Sequence, residues 1–201
     1  MRNAWNDLWK RSRATEGRDR VYQRLMELYG DNRFYHTMEH IANGLGQLER
    51  ARDLTTQYTA LEFAWWFHDA VCVPGAVDNE ERSANLAYAV ARQSGLPHGF
   101  GKKAAKLILA TKEHNPRSRD GKIISDVDLS PLGSPWEQFE ENSLNIRNEY
   151  GEYSDGEFNA MSTKALQGFL DREHIFLLPL YRDQFEEQAR ENIRRALAEI
   201  E

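Results

Sequence analysis

Three short segments of this chain hold the residues able to do chemistry. His68 and Asp69 are adjacent and close the apolar run Leu61-Glu62-Phe63-Ala64-Trp65-Trp66-Phe67. Upstream lies Tyr35-His36-Thr37-Met38-Glu39-His40, and far downstream lies Ser125-Asp126-Val127-Asp128-Leu129. A histidine from the first, the His-Asp pair and an aspartate from the last make two imidazoles and two carboxylates. That mixture suits a borderline or hard divalent metal that keeps water or a phosphate oxygen as further ligands. Placement strengthens the reading. A charge at the end of the most hydrophobic stretch is costly unless something neutralises it, and a metal does so while using the imidazole lone pair.

The elements that must position these residues read as helices. Alternating β-branched runs between hairpin turns are missing from the sequence, whereas helical periodicity recurs. Val21, Leu25 and Leu28 mark a helix that the Gly30-Asp31-Asn32 stop should end. Residues 38–53 read as the next, with Ile41, Leu45 and Leu48 inward. Residues 59–71 are apolar nearly all round and predict a buried central helix. Further helices are expected over 79–94, 102–114, 135–150, 157–171 and from 180 onward, with Asn115-Pro116 ending the 102–114 element. Ile123 and Ile124 lead into the segment of Asp126 and Asp128. The expected architecture is all-α, one domain over 1–201, with a motif core at about 33–132 and helical extensions on either side.

Composition narrows the function classes. The length of 201 residues allows a sizeable core, and the net charge of −6 speaks against an extended nucleic-acid-binding face while leaving room for a local basic pocket. A single cysteine, Cys72, excludes an internal disulfide framework and fits a reducing compartment. The N-terminus has no signal-peptide core and no segment approaches the length of a membrane span, so a cytoplasmic protein is expected.

The order of these motifs resembles the HD superfamily of metal-dependent phosphohydrolases, an all-helical fold defined by H…HD…D. Tyr35-His36-x-x-x-His40-Ile41 is similar to the Tyr-His-x-x-x-His segment of cyclic-nucleotide phosphodiesterases and related HD proteins, and Asp128-Leu129-Ser130 to the Asp-Leu-Ser segment after their final ligand. The best subgroup resemblance is to small bacterial predicted HD phosphohydrolases, which share the Tyr-His-x-x-x-His start and the segment Asn79-Glu80-Glu81-Arg82-Ser83. The resemblance implies a helical bundle of HD type and assigns His40, His68, Asp69 and Asp128 as metal ligands. It implies one divalent ion (Mn, Co, Mg, Zn, Ni or Fe), with room for a second. Two departures narrow it. Ala70-Val71-Cys72-Val73 stands where stringent-response hydrolases carry an acidic pair, and the Gly-Tyr-Pro signature of cyclic-dinucleotide hydrolases is absent.

The remaining candidates surround those ligands. His36 lies just before an expected helix start near Thr37; its imidazole titrates near working pH and can protonate a leaving oxygen, or it can cap a turn. Asp69 or Asp128 can also orient the attacking water while remaining a ligand. Glu80 and Glu81 either complement a helix N-terminus or orient water. Arg33, Arg82 and Lys112 are candidate phosphate partners, and His114 a candidate second-metal or phosphate ligand. The expected activity is hydrolysis of a phosphate ester, on a nucleotide or another small phosphorylated metabolite. The competing readings are a metal- and nucleotide-binding regulatory protein with little turnover, and a di-iron oxygenase on the same scaffold. Trp65, Trp66 and Phe67 read as core.

Overall fold

The computed structural model describes residues 1–30 and 33–200, so Asp31 and Asn32 of the expected helix stop lie outside the described residues. Every regular element among the described residues is helical, as the sequence predicts. The helices are α1 (Arg2–Ser12), α2 (Arg18–Leu28), α3 (Met38–Arg50), α4 (Tyr58–Phe67), α5 (Asn79–Gln93), α6 (His98–Leu109), α7 (Arg119–Leu129), α8 (Trp136–Glu149), α9 (Asp155–Leu170) and α10 (Pro179–Ile200). No helix is long and apolar enough to cross a membrane among the described residues. The chain divides into two compact units, Met1–Ser125 and Asp126–Glu201.

In the first unit α4 is the axis. Every side chain from Ala60 to Phe67 is buried, and α1, α3, α5 and α6 pack around it. Such a helix has no polar face to give to solvent, so its neighbours must cover it on all sides. Helix α1 falls in the helical extension expected before the motif core, and Trp5, Leu8, Trp9 and Ser12 recur at helical spacing and are the residues it buries. Trp5 meets Trp66 edge-on at 5.1 Å between centroids, and its indole N–H donates to the Arg18 carbonyl at 3.0 Å. The one acidic side chain inside α4, Glu62, is paired with Arg11 of α1. Burial still holds its carboxyl above the ordinary value against that guanidinium.

Gly44 explains how α3 comes close to α4. Glycine inside a helix costs about 1 kcal/mol relative to alanine, so its presence there needs a reason. A Cβ at Gly44 would fall 1.9 Å from a ring carbon of Trp65. The missing side chain lets the indole lie against α3, where its N–H donates to the Ile41 carbonyl at 2.9 Å.

Helix α6 starts earlier than predicted, directly after Pro97, and ends at Leu109 rather than at His114. The residue before a proline is restricted, but here the chain has left the helix several residues before Asn115-Pro116, and His114 has a left-handed φ of 46°. Helix α7 covers the segment that the sequence marks only as an apolar lead-in to Asp126 and Asp128. Its buried Ile123, Ile124 and Val127 supply the helical period.

In the second unit the loop before α10 is held by carboxylates. Asp126 accepts the backbone N–H groups of Leu177 and Leu178, both at 2.8 Å. Glu186 accepts those of Ile175 and Phe176 at about 3.0 Å, and Arg190 pairs with Glu186 at 2.8 Å. Burial by itself would raise the Glu186 carboxyl, but the two amides and the guanidinium outweigh it and hold it below its ordinary value. Asn192 donates to the carbonyls of Leu132 and Ser134, and a capping box of Ser154 and Glu157 starts α9.

Candidate metal centre

Two helix ends position the site. Thr37 caps α3 by accepting the Glu39 N–H at 3.2 Å, which leaves His36 just outside the helix and His40 in its first turn, buried against α4. His68 and Asp69 follow the last residue of α4. The carbonyls at that end are met one by one: the His68 ring by Trp65 O at 2.8 Å, the Tyr29 hydroxyl by Trp66 O at 3.1 Å, and the Ala70 amide by Phe67 O at 3.0 Å. Burial, and then the charge of Asp69, push the Tyr29 phenol well above its ordinary value, so that hydroxyl keeps the proton it donates.

The contact to Trp65 O fixes the tautomer of His68. A carbonyl only accepts, so Nδ1 carries the hydrogen and Nε2 of the neutral ring presents a lone pair. That lone pair faces Asp69 Oδ2 at 2.9 Å and His40 Nε2 at 3.2 Å, while His40 Nε2 lies 3.7 Å from the same carboxylate oxygen. A proton serves only two of these three atoms. A cation can take all three, because a circle through them has a radius of roughly 1.9 Å, just under the usual 2.0–2.2 Å bond from a divalent metal to nitrogen or oxygen. One ion therefore reaches all three from one side and keeps other positions for water or ligand. The donor set fits the group.

Asp128 lies on the last turn of α7, in the second unit, whereas His40, His68 and Asp69 all come from the first. His68 is fully buried and His40 nearly so, whereas the Asp69 side chain keeps 22% of its surface exposed. The opening to solvent is on the carboxylate side. A backbone carbonyl that receives the far ring nitrogen of a ligand histidine is a common orienting device in metal sites, and Trp65 O does that here. The Trp65 indole also stacks on the His68 ring at 4.0 Å with 17° between planes.

His36 stands beside this set and not within it. Its Nε2 lies 3.9 Å from Asp69 Oδ2, and its Nδ1 shares a hydrogen bond with the Cys72 thiol at 3.7 Å. In the sequence, the place of Cys72 shortly after the His-Asp pair is the available signal for this contact. Tyr35 packs edge-on to His36 at 4.9 Å and tilted to His40 at 5.3 Å.

The other candidates have their own partners. Arg33 donates to the carbonyls of His36, Asp69 and Ala70. Lys112 bridges Glu81 at 2.5 Å and Val77 O at 2.7 Å; that hydrogen bond lowers the Glu81 carboxyl and raises the Lys112 ammonium. Arg82 faces Asp78 at 3.9 Å. Glu80 and Glu81 lie in the first turn of α5, where carboxylates complement the helix dipole. His114 lies in the turn after α6.

No protein-family model, curated protein or solved structure matches the chain. The described residues define an all-helical protein whose first unit holds two buried histidines and a half-buried carboxylate, His40, His68 and Asp69, that could hold a metal ion.

Proposed function

We propose that this protein is a metal-dependent hydrolase of phosphate esters, of the HD type, acting on a nucleotide or another small phosphorylated metabolite. The observation that carries the reading is the convergence of His40 Nε2, His68 Nε2 and Asp69 Oδ2, with the His68 tautomer set by Trp65 O. His40, His68, Asp69 and Asp128 would hold one divalent ion. Two imidazoles with carboxylates and no thiolate favour borderline or hard metals such as Mn, Co, Mg, Zn, Ni or Fe. Such an ion supplies Lewis acidity, polarising a phosphoryl oxygen and making water acidic enough to attack near neutral pH.

The protein's own groups do the rest. Asp69 keeps 22% of its side chain open to solvent, so its carboxylate orients the attacking water on the open side. His36 sits beside Asp69 with 23% of its side chain exposed. Its Nε2 is placed to carry a proton to the leaving oxygen, and the Cys72 contact at Nδ1 holds the ring in that orientation. The buried Trp65 indole, stacked on the His68 ring, keeps bulk water from the rear of the site.

Metal analysis of protein purified without chelator, followed by a phosphatase screen over nucleotides and sugar phosphates with Mn²⁺, Co²⁺ or Mg²⁺, tests the proposal. Bound metal with phosphate release from at least one substrate supports it. Nucleotide binding without release points instead to a regulatory protein, and paired irons with an O₂-dependent spectrum to an oxygenase.

A further inference from the structure

Arg33 is a cation close to a candidate phosphate-binding site, yet its guanidinium is directed at main chain. Nη1 donates to the Asp69 carbonyl at 2.6 Å and to the His36 carbonyl at 3.3 Å, and Nη2 donates to the Ala70 carbonyl at 3.2 Å. Its charge also lies over the Tyr29 ring, 5.2 Å from the centroid. We propose that Arg33 is the positioning residue of the metal centre, joining the segment of the proton donor His36 to the turn that carries the ligands His68 and Asp69. The inference rests on the metal-centre reading above and deepens it.

The physical need lies at the end of α4. A helix leaves its last carbonyls without intrahelical partners, and a cation there is favourable for the same reason. Helix α4 has no basic residue in its last turn. Trp65, Trp66 and Phe67 give their carbonyls to His68, Tyr29 and the Ala70 amide, and the carbonyls of Asp69 and Ala70, in the turn just beyond the helix, take donors from outside it. Arg33 supplies them. The fork geometry matters because a planar guanidinium can meet carbonyls on two separate segments at fixed angles, whereas an ammonium is a point donor. Holding the Asp69 carbonyl fixes that residue's backbone, and with it the direction of the carboxylate toward His68 and His40. Holding the His36 carbonyl with the same group sets the proton donor at a fixed distance from that carboxylate. Side-chain contacts of this kind around metal ligands commonly affect affinity by one or two orders of magnitude.

The test uses the full chain, stripped of metal and titrated with Co²⁺, with affinity taken per folded molecule and the visible d–d spectrum recorded. The thermal midpoint of the metal-free protein is measured alongside. Arg33→Met should weaken Co²⁺ binding by about 10- to 100-fold and change the d–d band. Arg33→Lys, which keeps charge without the fork, should recover part of the loss. A purely structural role predicts a lowered metal-free midpoint with wild-type Co²⁺ affinity and spectrum, and that result overturns the proposal. Should the methionine variant not fold, the lysine variant decides in the same way: weakened binding supports, unchanged binding overturns. If the wild type takes up no Co²⁺, the metal centre itself is wrong and this inference falls with it. Wild-type binding with an indifferent Arg33→Met refutes the inference alone.

Discussion

Asp69 and Asp126 are both carboxylates set against apolar helix, one in each unit, and they meet opposite kinds of partner. Asp126 is fully buried and receives two backbone N–H groups, which only donate. Its role is complete within the protein: it ties down the loop before α10. Asp69 meets the Nε2 atoms of His68 and His40, and the first of these presents a lone pair in the neutral ring. Burial and charge alone do not separate a structural carboxylate from a chemical one. The donor or acceptor character of the atoms facing it does.

That contrast can be broken from the structural side. Asp126→Ala should destabilise the protein by about 3 kcal/mol, since each hydrogen bond to a charged group contributes about 1.5–3 kcal/mol. Asp126→Asn, which keeps an acceptor, should lose less. Urea unfolding of both variants checks this, and a cost below about 1 kcal/mol would remove the structural half of the comparison.

From the chemical side, His36→Ala should retain the metal and lower kcat by about a hundredfold, the usual scale of acid–base help. The deficit should shrink on a nitrophenyl ester, whose leaving oxygen needs little protonation. Loss of metal, or equal losses on poor and good leaving groups, would show that His36 is not the proton donor.

Gly44→Ala sharpens the account of how the ligands are supported. The added Cβ must displace Trp65, the ring stacked on His68, at a cost of about 1–3 kcal/mol for overpacking. Thermal unfolding measures that cost, and metal titration should show weakened binding in the same variant. A silent substitution would mean that Trp65 has room to move without consequence.

The smallest effect is in pH dependence. The Glu186 carboxyl is held below its ordinary value of 4.5 in the folded protein, so the unfolded chain binds the proton more readily. Its contribution is therefore present above that value and lost as pH falls through the lower, folded-state one. Thermal midpoints from neutral to acidic pH should fall less steeply for Glu186→Gln than for wild type; parallel curves would contradict the assignment.

The uneven visibility of these features in the sequence has a physical basis. The helical class and the burial of Trp65, Trp66 and Phe67 follow from local periodicity. The pair His68-Asp69 is contiguous, and His36 and His40 straddle a helix start that Thr37 announces, so these could be read directly. Arg33 is readable only as a nearby cation, because its partners are main-chain carbonyls, two of them far along the chain, and main chain carries no sequence signal. The Cys72–His36 contact depends on how the segments before α3 and after α4 meet, whereas the Trp65–His68 stack is local to the end of α4. Gly44 is a clue to close packing, since a glycine inside a helix is costly without a reason, but Gly46 in the same helix has open space around it, so the sequence does not say which glycine marks the contact.

The central claim is that His40, His68 and Asp69 converge because a divalent ion belongs there. Metal content per chain, measured on chelator-free wild type and on His68→Ala and Asp69→Ala prepared identically, tests it most directly. The account predicts stoichiometric metal in the wild type, essentially none in either variant, and thermal stabilisation by added metal in the wild type alone. Wild type without affinity for any divalent ion, or either variant with its metal intact, would contradict it.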